Sequence, residues 1–300
     1  MRGVCGRAKE LGFAVGGYDA CMSGTVPDGS GLSSSAVFEV LNGVIISDLF
    51  NESGIDAITN AQICQIAENR YFGKPCGLMD QTASAVGGFV FIDFKDFTHP
   101  IVEKVEFDLR TRGYSLLIVN TGGSHADLTD YYTSIQREMR DVARMFGAEV
   151  LRDIPAEKVI EGVAQLRGKV SDRAILRALH FYADDNRVIK EVEALRNNRL
   201  QDFLRLVDES GRSSWTLLQN CYVPDDVAVQ GIPLALELSR EILQGTGACR
   251  VHGGGFAGTI QAFVPIDKRQ RYIDELHKVF GENSCHEVLV RQLGAGKIGF

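Results

Sequence analysis

The chain has 300 residues, 45% of them hydrophobic and 24% charged, which suits one large domain or two modest ones with an ample core. Its 32 Lys and Arg stand against 39 Asp and Glu, a formal charge of −7, which argues against electrostatic binding to nucleic acid or to an anionic membrane surface. No run reaches the roughly 18 consecutive apolar residues of a membrane span, and no apolar stretch follows the basic residues at the start as a secretory signal requires. Seven irregularly spaced cysteines fit free thiols in a reducing cytoplasm. With no CxxC and no paired His/Cys cluster, a zinc site is not expected.

In chain order, residues 19–23 read as a short strand leading into Val26-Pro27-Asp28-Gly29. Val37, Val40, Leu41, Val44, Ile45 and Leu49 fall at helical spacing over 32–49, and 57–71 gives a second helix. Strands are predicted at 89–94, 104–109 and 114–120, the last rich in Leu, Ile and Val. From Leu128 the pattern turns helical, with segments at 130–146, 171–197, 200–218 and 227–243. Strand signals return at 258–264 and 286–290 around a helix at 268–280. Mixed α/β followed by helices and a closing α/β unit predicts two domains of an α+β type, joined within 120–125.

Four clusters carry possible chemistry. Gly29-Ser30-Gly31-Leu32-Ser33-Ser34-Ser35-Ala36 opens the first long helix, where unpaired N–H groups and the positive end of the dipole favour an anion such as a triphosphate. It is neither the Walker pattern, since no Lys follows the glycines, nor GxGxxG, and its bland alternative is a Ser-capped helix. Cys76-Gly77-Leu78-Met79-Asp80-Gln81 places a lone acid among apolar and small residues, suited to orienting or deprotonating a hydroxyl in phosphoryl transfer. Burial there would raise its pKa, and the alternative is an exposed loop or cap residue. Glu68, at the end of the second helix, has the oxygen chemistry magnesium prefers, or is a solvated helical Glu. Arg250-Val251-His252-Gly253-Gly254-Gly255 brings backbone against a ligand or forms a tight connection, and Trp215 reads as core.

Together with Gly16-Gly17-Tyr18-Asp19-Ala20, Asn120-Thr121-Gly122-Gly123-Ser124-His125 and Tyr131-Tyr132, these motifs resemble the sugar-kinase branch of the GHMP kinase superfamily, most closely the galactokinase family, over nearly the whole chain. The resemblance implies an N-terminal α/β nucleotide- and phosphate-binding domain over 1–122 and a C-terminal ferredoxin-like α/β domain with added helices over 123–300, with the site between them. It implies phosphoryl transfer from ATP with Mg²⁺ to the C1 hydroxyl of galactose. By the same resemblance Gly29, Ser30, Gly31, Leu32, Ser33, Ser34 and Ser35 hold the phosphates, Ser35 and Glu68 hold Mg²⁺, Asp80 deprotonates the hydroxyl, and Gly77 with Tyr132 lines the sugar pocket. The family's earlier motif, an Arg followed by an acidic, His-containing sugar-binding run, has no counterpart ahead of Gly29. The chain therefore matches the family from about a quarter of the way in, so weakened turnover or a partner chain supplying that motif is expected. A galactose- and ATP-binding sensor without turnover, and a kinase for a related sugar such as N-acetylgalactosamine, stand as alternatives.

Overall fold

The computed structural model describes residues 1–24, 26, 32–73, 76–123 and 128–299. They divide into two compact units, Met1–Phe107 with Val290–Phe300, and Asp108–Leu289.

The first unit is mainly helical: α1 (Arg2–Glu10), α2 (Ser34–Phe50), α3 (Ala57–Ile66) and α4 (Met79–Val86), followed by the antiparallel hairpin β1 (Phe89–Asp93) and β2 (Ile101–Val105). Val4 and Ala8 of α1, Val40 and Ile46 of α2, Ile63 and Cys64 of α3, and Leu78 form its core. Asp56 starts α3 by accepting from the amides of Ile58 and Thr59, which satisfies donors that the helix leaves unpaired. α2 crosses α3 where only glycine fits, because a Cβ on Gly43 would lie 1.7 Å from Asn60 Oδ1. Asn60 is buried there and donates to the Val40 carbonyl at 3.0 Å. α3 runs on into a π-helical turn, Ala67–Phe72, so the single predicted helix over 57–71 changes its winding at Ala67. The C-terminal tail belongs to this unit: the Gly88 amide donates to Arg291, the Ala295 amide to Ser84, and Lys297 pairs with Asp48.

The second unit is built on an antiparallel sheet of β3 (Tyr114–Asn120), β4 (Ala248–Val251), β5 (Thr259–Pro265) and β6 (Cys285–Val288), in the order β4-β5-β3-β6. Between β3 and β4 run α5 (Thr129–Arg144), α6 (Ala156–Glu161), α7 (Val163–Leu166), α8 (Asp172–Arg196), α9 (Leu200–Ser213) and α10 (Gly231–Leu243); α11 (Arg269–Phe280) joins β5 to β6. The order is therefore β-α-β-β-α-β with an enlarged first crossover, the split-βαβ arrangement of ferredoxin-like domains. Alternation along β5 sends Ile260, Ala262 and Val264 into the cluster with Leu236 and Leu243 of α10 and Tyr272 and Leu276 of α11. Phe263, on the opposite face, meets Phe203 of α9 edge-on. A separate core of Val142, Ala143, Val159, Leu166, Ile175 and Ala178 holds α5–α8 together.

Several elements differ from the sequence reading. Residues 19–23 form no strand, β2 lies three residues earlier than expected, and α1, α4 and β4 were not anticipated. The predicted helix over 200–218 is α9 followed by a second π-helical turn, Ser214–Leu218. β3 pairs with β5 and β6 rather than with the hairpin β1–β2, and the second compact unit begins at Asp108.

Candidate active site

In the first unit, the start of α2 and the start of α4 meet through side chains. Ser33, the residue before α2, has a left-handed backbone with φ 52°. Its hydroxyl does not cap the helix; instead it donates to Asp80 Oδ2 at 2.5 Å. Ser33 therefore caps none of the first-turn amides of α2, and the Asp80 carboxylate lies beside the positive end of that helix. Asp80 lies in the first turn of α4 and is exposed, not buried as its apolar sequence neighbours suggest, because Leu78 takes the inward position and turns Met79 and Asp80 out. Gly77 just before is also exposed, and a Cβ there would meet only open space.

Two residues on from Ser33, in the first turn of α2, the Ser35 hydroxyl donates to Glu68 Oε1 at 3.3 Å. Glu68 is 3% exposed, at the start of the π-helical turn, so the solvated-helix reading of this residue does not hold. Its other carboxylate oxygen accepts from Gln81 Nε2 at 3.0 Å, and the same amide reaches Glu39 at 3.4 Å. Gln81 Oε1 is buried and has no hydrogen-bond partner among the described residues. The turn that delivers Asp80 is fixed from the π-helical side: Asn69 accepts from the Cys76 amide at 2.7 Å and donates back to its carbonyl at 3.2 Å, and Gln65 donates to that carbonyl too. Burial and the neighbouring Glu68 carboxylate push the Cys76 thiol up to about 12, so it stays neutral. Among the predicted phosphate-loop residues, Leu32 and Ser34 are half-buried and Ser35 is exposed, whereas Gly29, Ser30 and Gly31 lie outside the described residues.

In the second unit, Tyr132 projects from the first turn of α5 onto the glycine-rich segment after β4. Its hydroxyl donates to the Gly255 carbonyl at 3.1 Å, and its ring meets Phe256 edge-on at 5.6 Å. Desolvation raises its phenol pKa. Tyr131 hydrogen-bonds Asp225 Oδ2 at 2.6 Å instead. The glycines serve close packing within the chain: a Cβ on Gly254 would lie 2.5 Å from the Tyr132 ring, and one on Gly255 2.0 Å from the Asn220 carbonyl oxygen. Asn69, Gln81 and Asn220 were not singled out in the sequence. Gln81 follows Asp80 directly, but only the fold shows that it faces Glu68.

The GHMP kinases N-terminal domain family matches residues 3–88, the stretch that carries Ser33, Ser35, Glu68 and Asp80. Curated relatives run through both units. The chain is 33% identical over 274 residues to the galactokinase of Glaesserella parasuis serovar 5 (strain SH0165), covering 90% of this chain and 66% of that protein. It is 31% identical over 260 residues to the galactokinase of Streptomyces coelicolor, covering 86% of this chain and 63% of that protein. A crystal structure of Lactococcus lactis galactokinase complexed with galactose shares the fold with a TM-score of 0.75 at 23% identity, covering 98% of this chain and 74% of that one. A crystal structure of L. major mevalonate kinase shares it more distantly, with a TM-score of 0.54 at 17% identity, covering 86% of this chain and 65% of that one. The chain belongs to the GHMP kinase family. Within it, the curated relatives named here are galactokinases, and the chain spans about two thirds of their length.

Proposed function

We propose that this protein is a sugar kinase of the galactokinase type, moving the γ-phosphoryl group of ATP to the C1 hydroxyl of galactose. The observation that carries the reading is the Ser33–Asp80 hydrogen bond, which sets an exposed carboxylate beside the uncapped start of α2. Asp80 accepts the hydroxyl proton as the C1 oxygen bonds to phosphorus and ADP departs, and Ser33 holds the carboxylate in line by donating to its Oδ2. Amides at the start of α2, with Gly29, Ser30, Gly31, Leu32, Ser33, Ser34 and Ser35, hold the phosphates in the manner of helix N-termini generally. Glu68 and Ser35 suit Mg²⁺, because a buried carboxylate next to a hydroxyl is a hard-oxygen donor pair, and Gln81 Oε1 on the adjoining amide is an oxygen with no partner among the described residues. Magnesium when bound neutralises charge on the phosphoryl oxygens. From the family resemblance we assign a sugar contact to Gly77, which leaves open space where a side chain would stand, and separately one to Tyr132, through its hydroxyl and ring. All seven cysteines are free, which supports a reducing, cytoplasmic setting.

The test is ADP release with ATP, Mg²⁺ and galactose. Asp80→Asn keeps the shape and the exposed position, so the melting temperature should hold while kcat falls by about 100-fold or more. An unchanged rate refutes the assignment of the base. Galactose binding without sugar-dependent ADP identifies a sensor, and faster turnover with N-acetylgalactosamine identifies the related-sugar kinase.

A further inference from the structure

The Tyr132 hydroxyl is referenced to the glycine-rich segment, and that segment is in turn referenced to a single buried amide. The π-helical turn Ser214–Leu218 ends at Gln219, whose left-handed backbone, φ 58°, directs the chain inward to Asn220. Asn220 is 3% exposed. Its Nδ2 donates to the Gly254 carbonyl at 3.0 Å, and its own backbone carbonyl accepts from the Phe256 amide. Two of the three residues 254–256 are thus tied to Asn220, and the one between them, Gly255, accepts from Tyr132. Gly255 also has a left-handed backbone, φ 78°, and its Cα packs so close to the Asn220 carbonyl that no side chain fits.

The base from which Asn220 acts is itself fixed to the helix that carries Tyr132. Arg177, 1% exposed, donates through Nε to the Leu218 carbonyl at 3.1 Å and through Nη1 to Ser134 Oγ at 3.0 Å. Ser134 Oγ donates to the Tyr131 carbonyl at 2.7 Å. The end of the π-helical turn and the first turn of α5 are therefore one hydrogen-bonded frame, and the glycine-rich segment is held inside it. Asn220 Oδ1 is buried with no partner among the described residues. An amide left with an unsatisfied acceptor is a costly way to fill space, so packing alone does not account for this residue.

We propose that Asn220 is a positioning residue: it fixes residues 254–256 and through them the Tyr132 hydroxyl, and so sets the affinity for the sugar. This rests on the reading of Tyr132 as a sugar contact. The experiment uses the full chain and the variants Asn220→Asp, which keeps the shape but replaces the Nδ2 donor with an oxygen, Asn220→Ala, Tyr132→Phe, and the Asn220→Asp/Tyr132→Phe pair. Calorimetric titration with galactose alone gives the affinity, and hydrogen exchange gives the protection of the amides at 253–258. Expected are faster exchange at 253–258 in both Asn220 variants and galactose binding weakened about tenfold or more. Adding Tyr132→Phe to Asn220→Asp should weaken it further by much less than Tyr132→Phe does alone. In turnover, KM for the sugar should rise with KM for ATP unchanged, a split that general loosening of the fold would not produce. If the wild-type protein binds galactose and the Asn220 variants bind it equally well, or if the two substitutions are additive, the positioning role is overturned. A wild-type protein that binds no galactose overturns the reading of Tyr132 and this proposal with it.

Discussion

Glu138 offers a sharp test of how the second unit is held together, because its two cationic partners differ in what their loss should do. Glu138 is buried and accepts from Arg173 in a bidentate fork, Nε at 3.1 and 3.2 Å and Nη2 at 2.6 Å, and from Arg177 Nη1 at 2.9 Å. Arg173 is 38% exposed at its side chain and Arg177 only 1%. Removing the carboxylate by Glu138→Ala returns Arg173 to water at little cost. It strands the Arg177 charge against two neutral acceptors, Ser134 Oγ and the Leu218 carbonyl. Burial already holds Arg177 below the usual arginine range, and Glu138 is the main opposing attraction. Uncompensated buried charges of this kind cost about 3–5 kcal/mol. Arg177→Met removes the buried charge instead and leaves Glu138 in its fork with Arg173, so the loss should be about 1–2 kcal/mol, that of its three hydrogen bonds, to Leu218, Ser134 and Glu138, offset by the apolar replacement. The double variant should then be more stable than Glu138→Ala alone. Urea unfolding followed by Trp215, the single tryptophan and part of the adjoining π-helical turn, reads this unit directly. Equal losses in the two single variants, or additivity in the double, would refute the electrostatic argument.

Two further outcomes follow from protonation states. Glu191 is pushed up to about 7 by desolvation, with the Asp184 carboxylate adding to the shift and Arg250 and Arg187 opposing it. The folded chain therefore keeps a proton that the unfolded chain releases above its ordinary value of 4.5, so this contribution to stability is present below 4.5 and is lost as pH rises through 7. Glu191→Gln should be near neutral at pH ~5 and stabilising by about 1–3 kcal/mol at pH ~8, and a stability difference that does not change with pH contradicts the burial described. Thiol labelling gives the second outcome. Burial raises Cys64, Cys221, Cys249 and Cys285, with Cys221 and Cys249 at about 12 and Cys285 at about 11. Cys21 is exposed. Iodoacetamide at pH ~8 should modify Cys21 in the native chain and reach those four only in denaturant; rapid native labelling of Cys221 or Cys249 would contradict the core around β4.

What was legible in the sequence was local. β3 coincides with its predicted range because its Leu-Ile-Val run is buried on both faces of the sheet, and α8 and α11 fall within a residue of their predicted ends. Ser33, Ser35 and Glu68 stood out by residue type and by their place at helix ends, Asp80 as a lone acid among apolar and small residues, and the roles expected of them came from the resemblance. What stayed hidden depends on pairing at a distance. The tail at 290–300 joins the first unit through bonds such as Gly88 to Arg291, across two hundred residues of chain, and no local pattern announces that. α1 buries only Gly3, Val4 and Ala8, and two glycines in nine residues disguise a helix whose job is close approach to the π-helical turn. The exposure of Asp80 was equally invisible, since apolar sequence neighbours do not say which of them turns inward. Asn220 carried no signal at all: it is an ordinary polar residue until the left-handed Gln219 directs it into the core.

The two π-helical turns make this protein sensitive to residue count as well as residue type. A π turn is an α-helix that carries one residue more than the winding needs. Ser214–Leu218 is such an insertion at the end of α9, two residues ahead of Asn220, and Ala67–Phe72 is another at the end of α3, with Glu68 inside it. Deleting one residue from either turn would let the helix relax to its ordinary pitch and rotate everything downstream by about 100°. Asn220 would then be present in the chain but turned off the glycine-rich segment. Relatives that differ by a single gap at these points thus differ in the orientation of their side chains even where the letters on either side agree, and an alignment slid by one position there would match the wrong residues.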